Sequence, residues 1–192
     1  MQHSAVISSP LGMLAIMVSR EGFLRKIELL PKGHRVNLRN STHGNSQDSF
    51  TSGRSELSMS RYNYDSIIAD IADQLGYYFK DPEWYFALPL APDGTPFQQR
   101  VWRALQSIPP GKTISYGILA ARLRTCARAV GNACRMNPIP IVIPCHRVVG
   151  ARSLGGFIGS RVGEPIAIKQ WLLTHEFEFL RNRRKKDSIS HG

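Results

Sequence analysis

The sequence predicts an α+β protein in which a small antiparallel sheet and a helix precede a mostly helical C-terminal part. Two observations support this class. Short β-prone segments separated by turn residues fill residues 5–30, and apolar residues recur at helical spacing in 64–79 and in four segments after residue 95. With 192 residues, of which 42% are hydrophobic, the chain can bury a sizeable core in one domain or two small ones.

Three segments near the N-terminus predict strands. Residues 5–8, 13–18 and 23–30 are apolar and rich in β-formers, and short turn sequences containing Gly12 and Gly22 separate them. Connections this short join neighbouring antiparallel strands. We therefore expect a three-stranded meander.

The rest of the first predicted domain, which spans residues 1–88, contains an insertion and a helix. Residues 40–60 are rich in Ser, Thr, Asn and Gly, which predicts a flexible insertion without a fold of its own. Apolar residues at helical spacing over 64–79 predict a helix that ends near Pro82.

The second half begins with three predicted helices. Thr95-Pro96-Phe97-Gln98 is a capping-box pattern with Pro at the first helical position, so a helix should start there. Ser115 can cap a second, short helix, and a tight connection at Arg124-Thr125 leads to a third over about 126–136. Two short helices joined by a brief turn indicate a helix-turn-helix.

The third helix is thin and its surroundings are basic. Ala127, Ala129 and Gly131 give it small side chains, while Arg128 and Arg135 give it charge. Small residues commonly serve only to let helices pack closely, which is the alternative explanation. The charge balance favours an approach to nucleic acid, because the residues after position 95 carry a net +12 and those before carry −1.

Residues 137–149 contain the most reactive-looking group. Three prolines predict that this apolar segment is extended and not helical. Cys145 lies between Pro144 and His146, and a neighbouring imidazole can generate the thiolate nucleophile. Adjacent side chains of an extended chain point to opposite faces, so His146 should act through a bridging water unless the chain turns. A buried structural cysteine is the alternative.

The last predicted elements complete a second domain over residues 92–180. A glycine-rich loop over 150–163 precedes a helix that should end near Leu180, and residues 181–192 form a basic tail. Acidic residues are scarce here, and Glu176 is the best placed to orient an imidazole.

Several classes of protein and site are not favoured. Three cysteines argue against a disulfide framework, and their spacing lacks the close pairs of a structural zinc site, so we predict no metal. A secretion signal and a run of about 20 apolar residues are both missing, so we expect an intracellular, cytoplasmic protein that does not contact membranes.

The ordered motifs resemble the O6-alkylguanine-DNA alkyltransferase family. Pro144-Cys145-His146-Arg147-Val148 is that family's signature, and the other matches keep the family's order over most of residues 75–176. They are Gly94-Thr95-Pro96-Phe97-Gln98 with Val101-Trp102, Ile108-Pro109-Pro110-Gly111-Lys112-Thr113 with Ser115-Tyr116, Ala127-Arg128-Ala129-Val130-Gly131, and Trp171-Leu172-Leu173 with His175-Glu176. The weaker N-terminal match implies a ribonuclease H-like domain.

The resemblance implies a reaction and a catalytic set. Cys145 would accept an alkyl group from O6-alkylguanine, and from O4-alkylthymine, in double-stranded DNA. The transfer would be irreversible and would consume the protein, with no cofactor. His146 would deprotonate Cys145 through a water, Glu176 would hold His146, Asn137 would brace the turn, and Tyr116 would donate a hydrogen bond or proton to the guanine ring.

The resemblance also implies a DNA surface and a base pocket. Arg128 would replace the flipped nucleotide in the stack. The other implied DNA-binding residues are Ala127, Ala129, Gly131, Arg135 and Ser115. The implied substrate pocket consists of Val148, Phe157, Ile158, Gly159 and Ser160, with the Cys145 and Val148 carbonyls recognising the guanine amine. We expect a monomer.

Three other functions remain as alternatives. A lesion-binding protein without transfer would replace the cysteine, and Cys145 argues against it. A helix-turn-helix regulator would bind a specific DNA sequence and transfer no alkyl group. A cysteine hydrolase would need turnover and an oxyanion hole, which the sequence does not indicate.

Overall fold

A computed structural model of the protein describes residues 3–30 and 54–189, with side chains described over residues 3–30 and 64–185. These residues divide into two compact units. Those up to Gly76, together with Ala87–Ala91, form the first, and Tyr77–Phe86 with the residues from Pro92 onward form the second. Residues 77–86, which the sequence placed in the first domain, thus have their contacts in the second unit.

The first unit contains the predicted antiparallel meander. Strands β1 (His3–Ser9), β2 (Gly12–Val18) and β3 (Leu24–Leu29) pair in the order β1-β2-β3. The β1–β2 turn places Gly12 opposite Ser9, and Gly12 has a φ of 106°, a conformation that favours glycine. The prediction of the three strands is confirmed.

Helix α1 (Arg54–Lys80) is longer at its start than the sequence predicted. Residues 54–60 belong to the helix and not to the predicted flexible insertion, whose remaining residues 40–53 lie outside the described part of the chain. The prediction was wrong here because Arg54–Ser60 lacks Gly and Pro and includes helix-forming Glu, Leu and Met, although it has no apolar period.

The core of the first unit lies between the sheet and α1. Tyr64 donates its hydroxyl proton to the carbonyl of Arg20 at 2.8 Å, and its ring stacks on His3. The segment Ala87–Ala91 runs beside β3 and exchanges backbone hydrogen bonds with Leu24 through Pro89 and Ala91. The buried apolar residues of this unit include Leu14, Ile16, Val18, Leu24, Ile27, Ile71 and Leu75.

The second unit begins with the predicted capped helix. Helix α2 (Pro96–Gln106) has a complete capping box, in which Thr95 and Gln98 each accept a hydrogen bond from the other's backbone N–H. The buried Trp102 donates its indole N–H to the carbonyl of Ala133 at 2.9 Å. This bond fixes α2 against the helix-turn-helix.

The helix-turn-helix is formed as predicted. Helix α3 (Tyr116–Arg122) starts at Ser115, whose hydroxyl accepts from the Ile118 N–H, and α4 (Ala127–Arg135) follows the turn at Arg124, which has a φ of 51°. Strand β4 (Ile114–Ser115) pairs in parallel with β5 (Val148–Val149). This short pairing brings the start of α3 beside the Pro-Cys-His-Arg-Val signature.

Helix α5 (Glu164–Ile189) also extends beyond its predicted end. The sequence predicted an end near Leu180 followed by a solvated basic tail. The helix continues because residues 181–186 are mostly Arg and Lys, which are good helix formers, and neither Gly nor Pro interrupts them. The rest of that tail, residues 190–192, lies outside the described range. No helix in the described ranges is long and apolar enough to cross a membrane.

Candidate functional site

The signature cysteine lies in a tight turn and not in an extended segment. Residues Cys145–Arg147 form one turn of 3-10 helix after a series of turns, so the prediction of an extended chain was wrong. The prolines prevent an α-helix but are compatible with turns. Ile141 has a φ of 77°, which is strained for a β-branched residue. The segment is therefore held in a conformation that it would not adopt alone.

Asn137 braces this turn through two hydrogen bonds. Its amide nitrogen donates to the Ile143 carbonyl at 2.8 Å, and its amide oxygen accepts from the Ile139 N–H at 3.1 Å. The Cys145 N–H donates to the same Ile143 carbonyl at 2.8 Å. Asn137 thus lies where the resemblance implied, connecting both ends of the loop that carries the cysteine.

Cys145 is a buried thiol, with 4% of its surface exposed. Burial raises the pKa of Cys145 above its ordinary value, while the Asn137 amide and the Lys169 charge oppose that rise. A thiol with a raised pKa is mostly protonated at neutral pH, so the site needs a base close to the sulfur.

His146 and Glu176 form a fully buried pair. The His146 Nε2 and Glu176 Oε1 atoms are 2.8 Å apart, and neither side chain is exposed. Burial lowers the pKa of His146, although its hydrogen bond to Glu176 works in the opposite direction. The ring is then neutral, with its proton on Nε2 because a carboxylate only accepts. The His146 Nδ1 atom is buried and has no hydrogen-bond partner within the protein.

Glu176 is kept ionised by several donors. Arg147 donates to both carboxylate oxygens at 2.9–3.2 Å, the Tyr78 hydroxyl donates at 2.9 Å, and the Gly111 N–H donates at 2.9 Å. Burial alone would raise the pKa of Glu176, but the bond from His146 and the charge of Arg147 lower it to about 2. A permanent negative charge therefore lies behind the imidazole.

Lys169 is a site residue that the sequence analysis missed. Its ammonium group is fully buried and donates to the carbonyls of Val148 at 2.6 Å and Gly156 at 3.0 Å. Burial lowers the pKa of Lys169 to about 8, against the opposing influence of the Cys145 and Cys134 thiols. The only sequence signal was a lysine on the apolar face of a helix.

Tyr116 lies close to the Gly156 carbonyl and the Lys169 ammonium group. Its hydroxyl donates to the Gly156 carbonyl at 3.3 Å, a long bond, and the Lys169 ammonium lies 5.8 Å from its ring centroid. Burial raises the pKa of Tyr116 to about 12, and the Cys134 and Cys145 thiols act in the same direction. Tyr116 is therefore a protonated donor at neutral pH.

A cleft of about 710 Å³ opens above Cys145. It lies between α4, the start of α3 and the loop after the signature. Of the predicted site residues, the cleft is lined by Tyr116, Ala127, Arg128, Gly131, Arg135, Cys145, Phe157, Ile158, Gly159 and Ser160.

The other predicted residues do not line the cleft. Val148, predicted at the pocket, is completely buried, and its carbonyl accepts from Lys169. Ser115 caps α3, Ala129 lies outside the lining, and Asn137 supports the turn from behind. His146 and Glu176 are fully buried and also lie outside the lining.

Helix α4 presents two different faces. Val130, Ala133 and Cys134 are buried, whereas Arg128 and Arg135 are exposed at the cleft. The small residues on the cleft side leave room for a bulky polymer to approach the helix. This arrangement is compatible with a nucleic-acid surface.

Comparisons with known proteins agree with the site. Residues 96–178 match the family described as 6-O-methylguanine DNA methyltransferase, DNA binding domain. The constitutive methylated-DNA–protein-cysteine methyltransferase of Bacillus subtilis is 39% identical over 134 residues, which cover 68% of this chain and 79% of that protein.

Solved structures have the same fold. The crystal structure of Mycobacterium tuberculosis O6-methylguanine methyltransferase has a TM-score of 0.67 and 33% identity, covering 93% of this chain and 94% of that one. Mycobacterium tuberculosis OGT in complex with DNA has a TM-score of 0.64 and 31% identity, covering 92% and 94%. The chain therefore belongs to the methylated-DNA–protein-cysteine methyltransferase family.

Proposed function

We propose that this protein repairs double-stranded DNA by moving an alkyl group from the O6 atom of guanine to the sulfur of Cys145, once per protein molecule. The observation that carries the proposal is that Cys145 lines the cleft and directly precedes His146, whose buried ring is paired with Glu176. Family membership supports the same reaction. O4-alkylthymine is a second expected substrate.

His146 is the proposed base for the thiol. Its Nε2–H is committed to Glu176, which leaves the Nδ1 lone pair to take the proton of Cys145, through one water if the two atoms do not meet directly. The imidazolium that results is stabilised by the ionised Glu176. Glu176 itself stays deprotonated throughout.

The displacement then needs only the thiolate, the alkylated base and a hydrogen-bond donor. The thiolate of Cys145 attacks the alkyl carbon, an S–C bond forms, the C–O6 bond breaks, and the electron pair leaves on guanine. A hydrogen bond from the Tyr116 hydroxyl, whose pKa of about 12 keeps it protonated, stabilises that charge. We expect no cofactor, because a nucleophile, a base and a donor suffice. The thioether is stable, so the protein is consumed.

DNA must present the base to this cleft. The O6 atom of guanine lies inside the duplex stack, so the nucleotide has to flip out before in-line attack is possible. Arg128 is exposed at the cleft rim on α4 and is the proposed side chain that fills the vacated space in the stack. Arg135 and the small residues of α4 would contact the neighbouring backbone. We propose that a monomer does this, since one chain carries every group named.

Intact mass measurement tests the proposal. The protein is mixed with a duplex carrying one O6-methylguanine, beside a Cys145→Ala variant and an unmodified duplex. We expect a gain of one methyl group that saturates at one per protein and is lost in the variant. Tight binding to the lesion without a mass change would instead make this a recognition protein and remove the chemistry assigned to Cys145.

A further inference from the structure

A second concavity, of about 570 Å³, lies in the second unit and shares no lining residue with the cleft above Cys145. We call it the basic pocket. One side of it is the turn before β4, at Gly111 and Lys112. The other side is α5, whose lining residues are spaced so that they share one face of the helix: Phe177, Leu180, Arg181, Arg184 and Lys185.

The buried Glu176 connects the catalytic pair to the wall of the basic pocket. Its Oε1 atom is 2.8 Å from the His146 Nε2 atom, and its Oε2 atom accepts from the Gly111 N–H at 2.9 Å. Gly111 lines the basic pocket, whereas Glu176 lines neither concavity. A ligand can therefore occupy the basic pocket without entering the cleft.

Part of the basic pocket is apolar. Gly111 has a φ of 67°, and a Cβ atom there would lie 2.4 Å from the Leu180 Cδ1 atom, so the leucine side chain packs directly on the glycine backbone. The Phe177 side chain lines the same pocket and is 57% exposed. An aromatic ring and a leucine in one concavity can bury an apolar side chain of a ligand.

The rest of the lining is cationic. It contains four exposed basic residues and, among the described residues, no carboxylate; the four are Lys112, Arg181, Arg184 and Lys185. Like charges that face one concavity repel each other, and the low-dielectric walls strengthen their common potential. A negatively charged ligand relieves this repulsion. The basic pocket is therefore complementary to an anionic ligand that also carries an apolar group.

We propose that the basic pocket binds an acidic segment of a partner protein, in which carboxylates flank one apolar side chain. The carboxylates pair with the cations of the pocket, and the apolar side chain contacts Phe177 and Leu180. Duplex DNA complements the charges alone, because its outer surface is a phosphate backbone and its bases are stacked inside. This binding does not require alkyl transfer, so the inference does not depend on the proposed function.

Fluorescence anisotropy with labelled peptides tests the proposal. The probe is Asp-Asp-Phe-Asp-Asp, and the comparison peptides are Asn-Asn-Phe-Asn-Asn, which lacks the charges, and Asp-Asp-Ala-Asp-Asp, which lacks the apolar group. At low salt we expect a Kd on the order of 100 µM for the probe and binding weaker by about tenfold for each comparison peptide. A saturating amount of unmodified duplex should leave the probe bound.

Three variants locate the binding. Phe177→Ala should weaken binding of the probe about fivefold and leave Asp-Asp-Ala-Asp-Asp within about twofold, because only the probe has a side chain to contact the ring. Arg181→Glu should weaken both acidic peptides about tenfold. Arg103→Glu is the matched control with the same change in net charge, since Arg103 is exposed on α2 and does not line the pocket, and we expect it to stay within about twofold.

Several outcomes would overturn the inference. They are no binding of the probe, equal binding of the uncharged peptide, an unchanged affinity in Arg181→Glu, and an equal loss in Arg103→Glu. Displacement of the probe by the duplex would assign the surface to nucleic acid and not to a protein. Methyl transfer measured on the same protein keeps the two proposals apart, because transfer without peptide binding removes only this inference and peptide binding without transfer removes only the proposed function.

Discussion

Replacing Glu176 by Gln tests the buried charge network through its stability. The fold lowers the pKa of Glu176 from 4.5 to about 2, in spite of a burial that acts in the other direction. A shift of that size corresponds to about 3 kcal/mol in favour of the ionised form. Glutamine keeps the shape but has no charge for His146 and Arg147, so we expect the free energy of unfolding at pH 7 to fall by about 3 kcal/mol.

The pH dependence of the free energy of unfolding measures the contribution of the ionised Glu176 independently. Because the pKa of Glu176 is lower in the folded chain, the unfolded chain binds more protons between about pH 4.5 and 2. Wild-type stability contributed by Glu176 is therefore complete above pH 4.5 and is lost as the pH falls through 2. His146, whose pKa is also lowered by burial, adds a loss that begins below about pH 6.5. The Glu176→Gln variant should lack the loss of stability that the wild type shows between about pH 4.5 and 2.

Urea unfolding at a series of pH values from 7 to 2.5 measures both the loss of stability at pH 7 and its dependence on pH. Glu178→Gln is the matched control, since Glu178 is an exposed carboxylate two residues further along α5, and we expect it to stay within about 0.5 kcal/mol of the wild type. If Glu176→Gln were as stable as the wild type at pH 7, the buried carboxylate would not hold the site together. A variant with unaltered acid sensitivity would contradict the pKa argument.

Three substitutions address the chemistry. Tyr116→Phe removes the donor near the leaving group, and single-turnover assays should find methyl transfer slower by about 100-fold with lesion binding little changed; unaltered transfer would refute this role. Arg128→Ala should reduce the rate on duplex DNA more than on free O6-benzylguanine, and equal losses would refute stack insertion. Lys169→Met removes a cation beside Cys145, so the rate at pH 7 should fall about tenfold and recover at higher pH, whereas a pH-independent loss would mean that Lys169 only supports the loop.

Features with a local physical signal were predictable from the sequence. The capping box at Thr95, the β-prone segments and turn residues of β1 to β3 and the small residues of α4 are each visible within a few consecutive residues. The pairing of His146 with Glu176 was also anticipated, because acids are scarce in the second half of the chain and a triad needs one. The first three predictions used local patterns, whereas the pairing joins residues 30 positions apart and was inferred from composition and chemistry.

Two other contacts between distant residues had no signal in the sequence. Lys169 bonds two backbone carbonyls, at Val148 and Gly156, and a carbonyl leaves no trace in the identity of its residue. Tyr78 reaches Glu176 across 98 positions of the chain. The start of α1 and the end of α5 were missed for another reason, since solvated helical turns have no apolar period to mark them.

The burial of Cys145 has a further consequence for a protein that acts once. Small electrophiles and oxidants react with thiolates, and they would inactivate a single-use acceptor that kept its sulfur exposed and ionised. Burial keeps Cys145 protonated, and so it lowers this loss. The same protonation would slow the useful reaction if no base were near. In the proposed mechanism, a neutral His146 backed by an ionised Glu176 resolves this conflict, because it would accept the proton when an alkyl carbon is already in line with the sulfur.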